Sequence, residues 1–160
     1  ETLAREMKLS DPDVEMIGHS ALLHDIGKIA MPDAILQKKG PLTEAEWIVM
    51  KSHPRIGYEI VSGCAALETA SDIVYSHQER FDGKGYPRGL KGTEICLGAR
   101  IFAVVDTYDA IRSDRPYSRS LSVGTAISEI VAGRGTQFDP DVVDAFLRCQ
   151  PRIESYVSEG

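Results

Sequence analysis

Five residues of this 160-residue chain have the types and spacing to hold metal ions: His24 and Asp25 at the end of an apolar run, then His53, His77 and Asp106. A histidine beside an aspartate offers an imidazole nitrogen next to a carboxylate whose two oxygens can bridge two cations. The later His, His and Asp could complete a binuclear site. Asp106 carries the sharpest argument of the five, because it follows Ile101, Phe102, Ala103, Val104 and Val105, a segment that is largely buried if helical. Its helical neighbours Phe102, Ala103, Asp109 and Ala110 include no base, so no intrahelical ion pair offsets the several kcal/mol that desolvating an ion typically costs. Its partner must come from another segment, as a bound cation or as a distant Arg or Lys.

Lys28 lies four residues after His24. On one helix the two share a face, with Asp25 about 100° around from His24, so imidazole, carboxylate and ammonium would meet in one cavity. His53, in Ser52-His53-Pro54, and His77, in Tyr75-Ser76-His77-Gln78, also have a plain reading as polar residues at helix ends. His19, five residues before His24, falls off the helical face and reads as a surface or outer residue.

The elements that must position these groups read almost entirely as helix. Glu1 to Leu9 resembles the end of a helix already under way, which implies more protein upstream. Ser10 and Asp13 have capping-box spacing before a helical run from Val14 to Ile29 that carries His24 and Asp25. Thr43 and Glu46 repeat that spacing before Trp47, Val49 and Met50. A helix from Pro54 is expected to end at a left-handed Gly63 cap, which puts His53 at a helix junction. Further helices are predicted over roughly Leu67 to His77, Leu97 to Ile111, Ser122 to near Gly133, and from Asp139 and Pro140 to about Leu147, with Pro151 beyond the last. Between Phe81 and Gly92, glycine, proline and charge describe an ordered but irregular loop.

Composition narrows the classes. With 42% hydrophobic residues the chain can build one real core, and the expected architecture is a single all-α compact bundle over residues 1–160. The net charge of −6 argues against nucleic acid as a partner, although a local basic pocket is compatible with it. Cys64, Cys96 and Cys149 form neither a CxxC pair nor a disulfide framework, and no apolar run approaches the roughly 20 residues that span a bilayer. A reducing cytoplasm and no membrane insertion of this domain are expected.

The pentapeptide His24-Asp25-Ile26-Gly27-Lys28, the later His53, His77 and Asp106, and the loop Phe81-Asp82-Gly83-Lys84-Gly85-Tyr86-Pro87 together resemble the HD-GYP family, HD-domain phosphodiesterases that cleave bacterial cyclic di-GMP. The resemblance runs from about Leu3 to about Leu147. It implies an HD-type helical bundle, often joined to an upstream sensory or receiver domain, and a pair of divalent metals, Fe or Mn first and Ni or Zn next. The implied ligands are His24, Asp25, His53, His77 and Asp106, with Asp25 and Lys28 as catalytic groups. Lys28 would stabilise phosphoryl charge or protonate the leaving oxygen, while Tyr86 and Arg115 would bind the cyclic dinucleotide. Gly85-Tyr86-Pro87 borders the substrate cleft in the family and takes part in binding or in contacts with signalling proteins.

The chain departs from the family pattern in three places. A further metal-binding histidine of the family lies on the helix before this sequence begins. Gln78 stands where many members have a second consecutive histidine, and Ser118 stands where a base is usual, with Arg119 beside it. Three readings follow: a metal-dependent cyclic di-GMP phosphodiesterase, an HD phosphohydrolase for another cyclic dinucleotide or nucleotide, and a degenerate module that keeps the Gly85-Tyr86-Pro87 surface for protein contacts without catalysis.

Overall fold

Helix-capping chemistry and apolar recurrence set the elements seen in the computed structural model, which describes residues 1–113 and 120–158. The helices are α1 (Thr2–Glu6), α2 (Asp11–Leu23), α3 (Asp33–Leu36), α4 (Glu44–Met50), α5 (His53–Val61), α6 (Glu68–Ser76), α7 (Leu97–Arg112), α8 (Val123–Ala132) and α9 (Pro140–Ser158), with short 3-10 turns at Ile26–Ala30, Ala65–Leu67 and Gly92–Glu94. Among the described residues the extended structure amounts to one isolated bridge, Arg134 with Phe138, so the all-α expectation holds. No helix among them is long and apolar enough to cross a membrane.

Three caps fall where the sequence places them. The Ser10 side chain accepts from the Asp13 N–H at the start of α2, the Thr43–Glu46 capping box closes on both sides at α4, and Ser122 accepts from the Thr125 N–H at α8. The main core gathers Leu3 and Ala4 of α1, Val14 and Ile17 of α2, Ile73 of α6, Ile101, Phe102 and Val104 of α7, Ile130 of α8 and Phe146 of α9. A smaller cluster joins Val61 of α5 to Ala70 and Val74 of α6, with Leu23 and Ile26 packed against it. The smaller cluster ties the far end of α5 to α6 and to the end of α2; His24 and His77 sit at the C-terminal ends of α2 and α6, and His53 at the opposite, N-terminal end of α5.

Three boundaries differ from the sequence reading. The run from Val14 to Ile29 is not one helix, because α2 stops at Leu23 and a 3-10 turn follows from Ile26. Gly63 does not adopt a left-handed conformation. Instead Ser62 ends α5 in right-handed geometry, and the chain turns through the Cys64 N–H to the Val61 carbonyl. Finally, α9 runs through Pro151 to Ser158 rather than ending near Leu147. Proline removes one bond, to the carbonyl four residues back on the half-exposed Leu147. Beyond the proline, Ile153 packs on the core and Glu154 accepts from the Tyr108 hydroxyl at 2.5 Å and from Arg112 at 2.7 Å, which holds the helix on course.

Candidate metal centre

The early end of α2 follows from a packing demand. A Cβ on Gly27 would lie 2.0 Å from the His53 carbonyl oxygen and 2.6 Å from the Gly57 N–H nitrogen, so only glycine lets the 3-10 turn press against α5. That contact brings Asp25 to His53, the first residue of α5. Lys28 therefore does not sit one helical turn above His24 as expected. Its ammonium donates to Asp25 Oδ2 at 2.6 Å.

His24, His53 and His77 each occupy a helix end, and each ring is tied in the same way. The Nδ1 atoms lie 2.7 Å from the carbonyl oxygens of Ala21, Met50 and Val74, three residues earlier in each case. A carbonyl can only accept, so Nδ1 carries a proton in each ring, and in His53 and His77 Nε2 keeps its lone pair facing inward. The Nε2 atoms of His53 and His77 approach to 3.1 Å, and they stand 3.4 and 3.9 Å from Asp25 Oδ1. That oxygen is buried and has no hydrogen-bond partner. Three electron-rich atoms thus converge with no proton between them, an arrangement that is costly in a buried site and favourable around a cation. One ligand atom from each of Asp25, His53 and His77 falls within 4.8 Å of the others, as a shared ion requires.

His24 reaches the other oxygen of the same carboxylate, with Nε2 3.3 Å from Asp25 Oδ2. The electrostatics divide the rings. Burial pushes His77 down to about 4 and lowers His53, so both are neutral ligands at neutral pH. For His24 burial also opposes the charge, but the Asp25 hydrogen bond, the Ala21 carbonyl and the charges of Asp25 and Asp106 outweigh it and raise the pKa. Burial likewise works against the Asp25 carboxylate, yet hydrogen bonds from His24 and Lys28 and their charges hold its pKa below the usual carboxylate range.

Asp106, half-buried on α7, faces the same place: it lines a cleft of about 740 Å³ together with His77, Gln78, Tyr86 and Thr107. Tyr86 stands edge-on to the His53 ring at 6.4 Å, and burial, with the nearby Asp25 charge, raises its pKa. The loop that carries it is firmly built. The Tyr86 N–H donates to the Gln78 carbonyl at 3.1 Å, and a Cβ on Gly85 would come within 2.3 Å of the Arg80 nitrogen. Arg115, and with it Ser118 and Arg119, lies outside the described residues. His19 is a surface residue, half-exposed and 4.0 Å from Glu15.

Sequence reasoning passed over three residues of this region. Glu79, only 4% exposed, accepts from the Arg88 N–H at 2.7 Å and the Leu90 N–H at 3.1 Å and so clamps the loop from within. Trp47 and Lys51 of α4 also line the cleft. A signal existed for Glu79: a carboxylate just before a glycine-rich stretch is well placed to collect that stretch's unpaired N–H groups. For Trp47 the sequence showed only an apolar residue after the Thr43–Glu46 cap.

Comparison with known proteins agrees with this geometry. The chain is 47% identical over 154 residues to the cyclic di-GMP phosphodiesterase response regulator RpfG of Xanthomonas campestris pv. campestris, a match covering 95% of this chain and 41% of that protein. It is 44% identical to a cyclic di-GMP phosphodiesterase of Thermotoga maritima, covering 94% of this chain and 42% of the other. It therefore spans about two fifths of each. A solved structure of a cyclic GMP-AMP specific phosphodiesterase from V. cholerae superimposes with a TM-score of 0.71 at 19% identity, covering 93% of this chain and 41% of that one, which shows a shared fold. The sequence model described as HD domain matches residues 1–142. Because that match spans most of the 160 residues, the chain belongs to the HD domain family.

Proposed function

We propose that this chain hydrolyses cyclic di-GMP, opening it to the linear dinucleotide and onward to GMP, with two divalent metals, Fe or Mn, held by His24, Asp25, His53, His77 and Asp106. The observation that carries the reading is the convergence of the His53 and His77 lone pairs on the unpartnered Asp25 Oδ1 beside an open cleft. The relatives named as cyclic di-GMP phosphodiesterases, at 47% and 44% identity, supply the substrate. When bound, the metals supply Lewis acidity toward phosphoryl oxygens and a water acidified toward neutrality.

The protein's own groups do the rest. The three carbonyls behind the imidazoles hold the rings in the ligating tautomer before substrate arrives, so no reorganisation is needed at reaction. Asp25 stays ionised because His24 and Lys28 stabilise its negative charge. Lys28, held at 2.6 Å from Asp25, places an ammonium at the centre's edge, where it offsets phosphoryl charge or donates a proton to the departing 3′-oxygen. Tyr86 supplies a ring and a hydroxyl at the cleft wall, and Arg115 grips a phosphate. Of Gly85-Tyr86-Pro87, the exposed Pro87 is the residue that would meet a signalling partner. Three free cysteines fit a cytoplasmic setting.

The test is metal analysis with turnover of cyclic di-GMP and 3′3′-cyclic GMP-AMP, in wild type and in His53→Ala. The expected result is bound transition metal and conversion to linear dinucleotide in the wild type, both largely lost in the variant. Tight metal with no turnover of either dinucleotide would sink the enzyme reading in favour of an interaction module.

A further inference from the structure

Helix α4 carries apolar side chains that it does not bury. Its seven residues Glu44–Met50 include no buried side chain, although Trp47, Ile48, Val49 and Met50 are apolar. Trp47, the chain's single tryptophan, is 45% exposed. An indole contributes most when its faces are covered, and a well-capped helix has no need to hold one at the surface. The half-exposed ring is nonetheless directed: Glu44, Trp47 and Lys51, at helical spacing on one side, all line the cleft that His77, Asp106 and Tyr86 line from the centre. Lys51 spans toward the loop, with its ammonium 5.6 Å from the centre of the Tyr86 ring.

We infer that Trp47 is the stacking platform for one purine of the cyclic dinucleotide, with Lys51 beside it to face the phosphate that is not at the metal centre. This rests on the phosphodiesterase reading above and adds to it the place of the distal nucleoside. The geometry meets three requirements. A cleft of about 740 Å³ lies within the range of roughly 300–1,000 Å³ usual for small-ligand sites. A phosphate held among His77, Asp106 and their neighbours leaves the rest of the ring-shaped substrate to extend along that cleft, where the α4 wall stands. The exposed indole meets any purine through its π-face, so it supplies affinity without reading the base edge. Trp47 therefore grips guanine and adenine alike. Selectivity between cyclic di-GMP and cyclic GMP-AMP must come from other residues.

The single tryptophan makes the idea directly readable. Metal-loaded protein is titrated with a non-hydrolysable phosphorothioate analogue of cyclic di-GMP while indole emission is followed, and KM and kcat are measured for wild type, Trp47→Ala and Trp47→Phe. Emission should quench saturably. Trp47→Ala should raise KM by about tenfold, more than it lowers kcat, and by a similar factor for cyclic di-GMP and cyclic GMP-AMP, whereas Trp47→Phe should recover much of the loss. Unmoved emission at saturating analogue, an unchanged KM in Trp47→Ala, or a loss confined to one dinucleotide would each overturn the assignment. A wild type with no turnover at all overturns the phosphodiesterase reading instead, and the emission titration still decides whether Trp47 meets the ligand.

Discussion

The metal centre and α4 border one cleft, yet they are held in opposite ways. In the centre every ring is tied from behind by a main-chain carbonyl, His53 is 2% exposed, and the turn carrying Asp25 presses on α5 at a distance only glycine permits. Helix α4 has no fully buried residue and is kept by its own capping box, by the 2.5 Å ion pair of Lys38 with Glu46, and at its end by the Met50 carbonyl that ties His53. The difference matches two chemical tasks. Ligands must meet a cation within tenths of an ångström, so their freedom is removed in advance. A stacking wall accepts a flat base over a range of positions and can be attached loosely. Perturbing each region should therefore give unequal consequences.

The largest effect is expected at Gly27→Ala. The added methyl would overlap the His53 carbonyl at 2.0 Å and the Gly57 nitrogen at 2.6 Å, both main-chain atoms that cannot swing away. The turn and α5 must separate, which costs about 3 kcal/mol and lowers Tm by roughly 6–12 °C. Asp25 moves away from His53 and His77 as they part, so metal content should fall with stability. Calorimetry and metal analysis on the same sample check both. A variant that keeps its metal and its Tm would mean that the close contact does not set the centre.

How the sequence disclosed these parts follows from the distance over which each is specified. Asp106 stood out because a carboxylate after the apolar run Ile101 to Val105 announces itself locally, whereas His53 and His77 read alone as polar residues at helix ends and joined the candidates through the family resemblance. The caps of α2, α4 and α8 were legible for a similar reason, each being written within four residues. Gly27 was not, since the need for a missing side chain arises from His53 and Gly57, more than a turn and a helix away. That constraint also cut short the helix predicted to reach Ile29. The path of α9 past Pro151 depends on Tyr108 and Arg112 of α7, which no local pattern reveals. The place of Trp47 on the cleft was not legible, because amphipathic periodicity says which face is apolar and not what covers it.

An intermediate effect is expected at Glu79→Gln, which keeps the shape of the side chain. The carboxylate accepts the Arg88 and Leu90 N–H groups on separate oxygens, and the amide has only one oxygen to offer. One part-buried N–H then meets a donor, at a cost of about 1 kcal/mol. The loop loosens around Tyr86 while the ligands stay in place. KM for cyclic di-GMP should rise with metal content unchanged, and a Tm equal to wild type would show that the loop is held by other bonds.

The smallest effect is expected on α4 at Ile48→Ser. Ile48 is 70% exposed, the most open of the large apolar side chains on this helix, and it does not line the cleft. Its replacement removes no packed contact and only a slight helix preference, so stability should stay within about 0.5 kcal/mol of wild type. Thermal unfolding of the variant beside Gly27→Ala tests the contrast between the two walls on one scale. Should Ile48→Ser lower Tm by as much as Gly27→Ala, α4 would be anchored as tightly as the centre, and its lack of buried side chains would no longer mark it as a loosely attached wall.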